Sequence, residues 1–450
     1  MSARSYAKDL TKGSLFSGIF FYGLPLIFSN LLQVFFNIAD VSVVGKFAGA
    51  YPLGSVGSTS QLLFLFTGFL MGIGGGVNVT VAYYIGSKKQ KDLDDAVHTA
   101  FILCLAIGII LFLLGFTLAR PILTLMKTKE VLLDGAVLYF KIYMFAMPGV
   151  AIYNYGNAVI SASGDTKRPL LYLSIAGLIN IVLNLFFVIV CKMSCDGVAY
   201  ASVISQYVSA ILVMIALHKG IGLVKFSPKK LKINKSIAAR LLKIGIPGGM
   251  QNAIFALANA FIQVGVNTFD EMMVAGTAAS SNLDNIVYNA MDGFYLACAS
   301  FIGQNYGAND KKRIKKTIII SNTYAFILGS ILSLLIFIFG KQMLSIFTNE
   351  DAVIEAGMTR LKIMCFSYPI ASFMDNTIAA NRGLGKTFVP SIIVFAGSCL
   401  FRIAWVYTIF AYFKTIPSLF LLYIFSWALT AVAEIIYFIY IYRKSFPKKN

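Results

Sequence analysis

Apolar stretches long enough to cross a bilayer recur along the whole chain. A hydrocarbon core about 30 Å thick takes roughly 20 helical residues at 1.5 Å each. Twelve stretches meet that length: 14–45, 54–85, 96–118, 134–162, 168–190, 196–217, 237–268, 274–306, 316–339, 356–381, 387–412 and 416–441. Charged residues are 13% of the 450 positions, against about 25% in an ordinary soluble domain. The expected fold class is an all-α integral membrane protein of twelve transmembrane helices. The first stretch is too long for a secretory apolar region and lacks a small-residue cleavage site, so no removable signal peptide is expected.

A net charge of +19 invites a nucleic-acid reading, but the distribution of the charge argues against it. Lys and Arg cluster near the N-terminus (Arg4, Lys8, Lys12), at Lys88, Lys89 and Lys91, at Lys167 and Arg168, and between Lys219 and Lys243, where eight basic residues occur without an acid. Further clusters lie at Lys311–Lys316, at Arg382 and Lys386, and at Arg443, Lys444, Lys448 and Lys449. Each follows an even-numbered stretch or lies at a terminus. The alternate loops carry acids such as Glu130, Asp134, Asp270, Glu271, Glu350 and Asp351. Basic loops stay on the cytoplasmic side, which places both termini in the cytoplasm of an inner (plasma) membrane protein with no nucleic-acid partner.

Sliding the chain against itself reveals a repeat. At an offset of 222, Pro25 meets Pro247, Asn30 meets Asn252, Asn37 meets Asn259 and Gly54 meets Gly276. At 221, Gly72 meets Gly293, Gly86 meets Gly307, Pro148 meets Pro369, Gly164 meets Gly385 and Pro169 meets Pro390. Six helices are therefore written twice. An even number of spans gives both copies the same orientation, as in parallel-repeat transporters that alternate access by rocking two lobes about a cavity. The expected organisation is an N-lobe over 1–217, a basic cytoplasmic connector over 218–236 and a C-lobe over 237–450. Pro25 and Pro247 remove a helical hydrogen bond at matched sites, where bending is expected.

Asp40 is the one charged residue between Lys12 and Lys46. Ser29, Gln33, Asn37 and Asp40 follow each other at helical spacing and share a face, with Asn30 beside them. An ionised carboxylate at mid-span costs about 2.5–3.5 kcal/mol on insertion scales, and such residues ordinarily face a cavity and bind something. The alternative is a carboxylate that only fixes helix packing. The fifth stretch adds Asn180 and Asn184 one turn apart, and the sixth adds Ser202. Oxygens around one carboxylate suit Na⁺, or tune the acid for a proton, so Asp40, Asn180, Asn184 and Ser202 form the candidate coupling-cation site. For each amide, interhelical hydrogen bonding is the plainer reading.

The second copy keeps Asn252 and Asn259 but has Ile262 at the place of Asp40, whereas Asn154 corresponds to Asp375. The eighth stretch places Asp284, Asn285, Tyr288 and Asp292 at spacings that fit one face. Gln33, Asn37, Asn154, Asn259, Asp284, Tyr288 and Asp375 are the candidate substrate-pocket residues, with packing polars as the other reading. "NRGLGKT" at 381–387 resembles the end of a phosphate loop, but Ala380 stands at the first glycine position and its repeat mate "SASGDTKRP" marks it as a duplicated turn. Six dispersed cysteines form no framework, although Cys191 and Cys195 are close enough for a local disulfide, and two histidines build no metal site. No catalytic motif is present, so enzymatic chemistry and cofactors are not expected.

The first-helix "FNIADVSVVGKFAG", the turn "SASGDTKRP" and "FIGQNYGAND", on twelve spans in two halves, resemble the multidrug and toxic compound extrusion (MATE) transporters over essentially the entire chain. The resemblance implies an antiporter that exports organic cations, drugs or metabolites against inward Na⁺ or H⁺; the expected partners are a cationic or amphipathic small molecule and the lipid bilayer, and the expected state is a monomer. Asp40 matches the family's first-helix aspartate, Asn180 its fifth-helix asparagine and Ser202 a sixth-helix hydroxyl, while Asn184 replaces a frequent second aspartate. Asp375 matches a tenth-helix aspartate, but Ala256 stands where one branch has a seventh-helix glutamate. The rival readings are a lipid-linked precursor flippase of the same superfamily and a channel or receptor with a transporter-like body.

Overall fold

The computed structural model describes residues 8–446, so the basic Arg4, Lys448 and Lys449 fall outside it. Among the described residues there are thirteen long or paired helices: α1 Leu15–Ala48, α2 Ala50–Gly86, α3 Gln90–Leu125, α4 Glu130–Met144, α5 Met147–Ala162, α6 Lys167–Val190, α7 Cys195–Lys219, α8 Lys235–Val266, α9 Glu271–Gly307, α10 Lys311–Leu344, α11 Asp351–Gly383, α12 Phe388–Phe413 and α13 Ile416–Ser445. Eight are long and apolar enough to cross a bilayer, and α4 with α5, bent by 46°, makes a ninth. The other three, α8, α9 and α11, have 32, 37 and 33 residues and complete the twelve spans. They are less apolar because they carry Gln251, Asp284, Asp292, Arg360, Asp375 and Arg382.

The outer faces remain apolar. On α3, Ile109, Ile110, Leu113, Leu114 and Leu118 are exposed, as are Phe337, Ile338 and Phe339 on α10. In a membrane, that is the surface lipid covers.

The four matched prolines behave differently. Pro148 sits in the first turn of α5, directly after the break from α4, whereas its mate Pro369 lies inside an unbroken α11. α1 and α8 also continue through Pro25 and Pro247.

The chain forms two compact units, and they do not follow the repeat boundary. Of the described residues, the first comprises 8–9 and 31–249, and the second comprises 10–30 and 250–446. The first half of α1 thus belongs to the second unit, and the first half of α8 to the first. Glycines explain both placements. In the first unit, a Cβ on Gly72 of α2 would lie 2.2 Å from the Gly249 backbone nitrogen, and one on Gly76 would lie 2.8 Å from Gly245. Two small-xxx-small faces therefore let α2 and α8 meet backbone to backbone. In the second unit, a Cβ on Gly293 of α9 would lie 2.9 Å from the Ile27 backbone nitrogen, and one on Gly23 would lie 3.0 Å from the Phe294 ring. Gly72 and Gly293 are repeat mates, as are Gly23 and Gly245, so one contact is used twice.

Within the first unit the core gathers Val77 of α2, Ala96 of α3, Tyr155 of α5 and Val213 of α7. The connector docks there too. Ser227 N–H donates to His98 Nε2 at 3.0 Å, Lys230 pairs with Asp94 at 3.0 Å and Asn234 N–H donates to Thr99 Oγ1 at 3.0 Å. Within the second unit the core is built from α9, α11 and α13, with Val287, Leu361, Met374 and Trp427 among its members. Here Gln304 and Asn305 of "GQNYGA" are fully buried. Gln304 Oε1 accepts from Leu10 N–H at 3.0 Å, and Asn305 Nδ2 donates to Leu10 O at 3.2 Å while its Oδ1 accepts from Arg313 Nε at 3.0 Å. The motif thus anchors the segment that leads into α1. All six cysteines are free, including Cys191 and Cys195.

The Gly72 contact gives a direct expectation. Gly72→Val places a branched side chain against a backbone that cannot withdraw, and overpacking of this kind costs about 3 kcal/mol. Gly57, on the same helix, has nothing within 4 Å of an added Cβ. Thermal unfolding in detergent is therefore expected to show Gly72→Val strongly destabilised and Gly57→Ala unchanged or slightly more stable.

Candidate functional site

The carboxylate of Asp40 is enclosed by side chains from two other helices of the first unit. Asn184 Nδ2, on α6, donates to Asp40 Oδ1 and also to Asn180 Oδ1 at 3.1 Å. Asn180 Nδ2 donates to Ser202 Oγ of α7 at 3.4 Å, and Ser202 Oγ donates to Asp40 Oδ2 at 3.5 Å. The four residues close a ring of hydrogen bonds across α1, α6 and α7. Asn180, Asn184 and Ser202 are buried, and Asp40 is half-buried. One acceptor is left over, because Asn184 Oδ1 is buried without a partner.

Local sequence explains how the helices come so close. Opposite Phe36 of α1, α6 has Gly177, where a Cβ would lie 1.9 Å from the ring. Both helices also change pitch just beyond the site. α1 widens into a π turn at Val44–Ala48, four residues after Asp40, and α6 does so at Phe186–Val190, two after Asn184. Single π turns inside α-helices are frequent at functional sites and re-aim the neighbouring side chains.

The remaining candidates fall in several places. Gln33 is half-buried and Asn37 exposed on α1, and neither joins the ring. Asn154 of α5 donates to Val150 O of its own helix at 3.0 Å. In the second unit, Asn30 of α1 donates to Asn289 O and to Asp292 Oδ2, each at 3.2 Å. Asp284 is buried against Arg360 and Tyr368 of α11, pairing with the first and accepting from the hydroxyl of the second. Arg360 also donates to Ser280 Oγ at 2.9 Å. Asp284 is thus held in an internal ion pair, whereas Asp375 is half-buried on α11 with no hydrogen-bond partner among the described residues. Tyr288 packs its ring on Tyr368 and Trp427 with centroids 5.6 and 5.7 Å away. Asn259 is exposed on α8, where Oδ1 accepts from Arg402 Nη1 and from Tyr423 O–H, each at 3.4 Å.

Sequence reasoning missed Arg360, Arg402, and the buried pair Asn381 and Glu434, whose amide nitrogen and carboxylate lie 2.8 Å apart. The signal was available. The same test that isolates Asp40, a charge inside an apolar stretch, also flags Arg360 at 356–381, Arg402 at 387–412 and Glu434 at 416–441. Among the described residues no group of three or more His, Cys, Asp or Glu side chains is placed to hold a metal ion, so a cation at the ring would rely on amide and hydroxyl oxygens beside one carboxylate.

The MatE family profile matches residues 25–186 and 247–408, one match in each half of the chain. A probable multidrug resistance protein of Bacillus subtilis, YpnP, is 28% identical over 382 residues, which cover 84% of this chain and 85% of that one. A second from the same organism, YoeA, is 26% identical over 390 residues, covering 85% and 84%. The solved outward-facing conformation of a multidrug resistance MATE family transporter of the MOP superfamily superimposes with a TM-score of 0.92 at 19% identity, over 100% of both chains.

The two second-unit aspartates are expected to respond in opposite ways to neutralisation. Asp284→Asn leaves the Arg360 guanidinium buried without its counter-charge, a loss of about 3–5 kcal/mol. Asp375→Asn removes no hydrogen bond and is expected to change stability by less than about 1 kcal/mol. Melting curves of the two purified variants, compared with the parent, check both.

Proposed function

The chain belongs to the MatE family, the multidrug and toxic compound extrusion transporters, and from that premise we propose that it is a secondary antiporter. It exports amphipathic small molecules, organic cations among them, while Na⁺ or H⁺ enters. The basic loops support an inner-membrane protein with both termini in the cytoplasm, and the presence of both repeats in one chain supports a monomeric transporter. The names of the two Bacillus subtilis relatives support drug-like substrates.

The observation that carries this reading is the closed ring around Asp40 with its one spare acceptor. With the carboxylate ionised, the Asn184 amide offers its two N–H groups to Asp40 and Asn180 and leaves Oδ1 unused. The same amide turned over would direct Oδ1 into the ring. That arrangement needs a positive bridge between two oxygens: a proton on Asp40, or Na⁺ held by Asp40, Asn184, Asn180 Oδ1 and Ser202 Oγ. The ring therefore has an empty state satisfied by N–H donors and a loaded state satisfied by the coupling ion. Loading also cancels a charge whose presence in hydrocarbon costs about 2.5–3.5 kcal/mol. A ligand shifts a conformational equilibrium only through differential affinity for its states, and a group that changes its charge and its hydrogen-bond pattern together provides it. α1 carries that change along a helix that both compact units share.

Efflux from proteoliposomes tests the reading. Ethidium is loaded, and a Na⁺ gradient at uniform pH or a pH gradient at uniform Na⁺ is imposed. One of the two is expected to drive export, and Asp40→Asn is expected to lower the driven rate about tenfold or more, because a permanently neutral ring no longer distinguishes the states. Full gradient-driven transport by Asp40→Asn would refute the mechanism. Asn184→Leu, which keeps the carboxylate but removes the turning amide, is expected to weaken coupling as well, read as dye export at a reduced dependence on the same gradient.

A further inference from the structure

Arg402 of α12 is a buried charge that the ring and the ion pair do not explain. It lies about 21 Å from the start of its helix and about 16 Å from the end, at 1.5 Å per residue. That is mid-span, far from lipid headgroups. It is 1% exposed, with Nε donating to Ser426 Oγ at 3.1 Å and Nη1 to Asn259 Oδ1 at 3.4 Å. Nη2 is buried with no partner. No carboxylate forms an ion pair with this guanidinium among the described residues: Asp284 is held by Arg360, and Glu434 by Asn381. Intramembrane arginines ordinarily pair with an acid or mark a ligand pathway.

The surroundings are aromatic. The guanidinium carbon lies 4.6 Å from the Tyr423 ring centroid and 5.5 Å from that of Trp427. Tyr288 joins the same aromatic group through Trp427, and its hydroxyl is a second buried atom without a partner. Asn259, exposed, and Tyr423, half-buried, form the open edge. The backbone supplies an independent sign. Arg402 stands on the short α segment Phe401–Trp405 between two π turns, Phe395–Leu400 and Val406–Phe410. Two such turns around one residue sacrifice regular helical bonding to aim it. Along the same side of the helix, Gly397 meets Thr430 of α13 so closely that a Cβ would lie 2.3 Å from its hydroxyl, one turn from the Ser426 that Arg402 contacts.

We propose that Arg402, with Tyr288, Asn259, Tyr423 and Trp427, forms a subsite for the carboxylate or phosphate of an aromatic, amphipathic anion. The guanidinium takes the anionic group through Nη2 in its planar fork, the Tyr288 hydroxyl donates to the same group, and the rings take the apolar body. The inference deepens the transporter reading and extends its substrates to anions. The second unit thus recognises negative charge, where the first holds a carboxylate.

Binding to the purified full-length protein in lipid-free neutral detergent tests it, with no gradient, so that its outcome is separate from that of coupled transport. Carboxyfluorescein is the anionic aromatic probe and ethidium the cationic one, both read by fluorescence polarisation. Carboxyfluorescein is expected to bind the parent, and Arg402→Gln to weaken it about tenfold or more, as expected for a lost charge-assisted pair, without weakening ethidium. Asn259→Asp retains the arginine and offers it an internal carboxylate where Asn259 Oδ1 now stands, so it is expected to exclude carboxyfluorescein to a similar degree in a protein at least as thermostable. That variant decides the matter if Arg402→Gln does not fold. Phosphatidylglycerol added to the micelles is expected not to compete. Absence of carboxyfluorescein binding to the parent, equal binding by the folded variants, or full competition by phosphatidylglycerol would overturn the proposal, the last by assigning the site to a lipid headgroup.

Discussion

Hydrocarbon offers no hydrogen-bond partner, so a polar side chain inside a span is costly unless the fold supplies one. The first compact unit meets that demand with one carboxylate, two amides and a hydroxyl that satisfy each other in a ring. The second meets it with an ion pair from Arg360 to Asp284, with Asn381 on Glu434 and with Arg402 among aromatic rings. Where the satisfaction is complete, the group reads as architecture, as with Asp284. At Asn184 Oδ1 and Arg402 Nη2 it is incomplete, as it also is at Arg360 Nε and Glu434 Oε1, and a spare atom acquires meaning only from what surrounds it.

The helices can bring these groups together because glycines remove the side chains that would hold them apart. Gly177 admits Phe36 and so sets α1 against α6, which is what places Asp40 within reach of Asn184. The matched contacts at Gly72 and Gly293 place the first half of α8 in one unit and the first half of α1 in the other. At Gly72 and Gly293 an inserted methyl would meet backbone, which cannot rotate away as a side chain can. α1 therefore begins in the second unit and reaches the Asp40 ring in the first, so an event at Asp40 acts on an element both units contain.

Much of this was legible before any coordinates. The duplicated six-helix plan follows from span length and from Pro25/Pro247, Asn30/Asn252 and Gly72/Gly293 alone. Asp40, Asn180, Asn184 and Ser202 were singled out from isolated polarity in apolar surroundings, and the structure brings those four into contact. The same reasoning grouped Asp284 with Asp292 and Tyr288 by helical spacing. Spacing identifies a face but not what lies opposite, and opposite Asp284 stands Arg360, 76 residues away. Charge inside a span was weighed for acids more than for bases, so Arg402 escaped notice although it meets the same criterion.

Local chemistry by itself determined that this chain is a bundle of membrane-spanning helices in two repeats, because the apolar length of a span and the recurrence of its prolines and glycines are properties of contiguous sequence. Tertiary structure alone decided which polar groups are satisfied, which are left over, and that each repeat contributes half a helix to the other's unit. Partners in those contacts are separated by 144 and 162 residues at Asp40 and by 143 at Arg402. In a medium without water, the identity of the neighbouring helix decides whether a carboxylate is a strut or a switch.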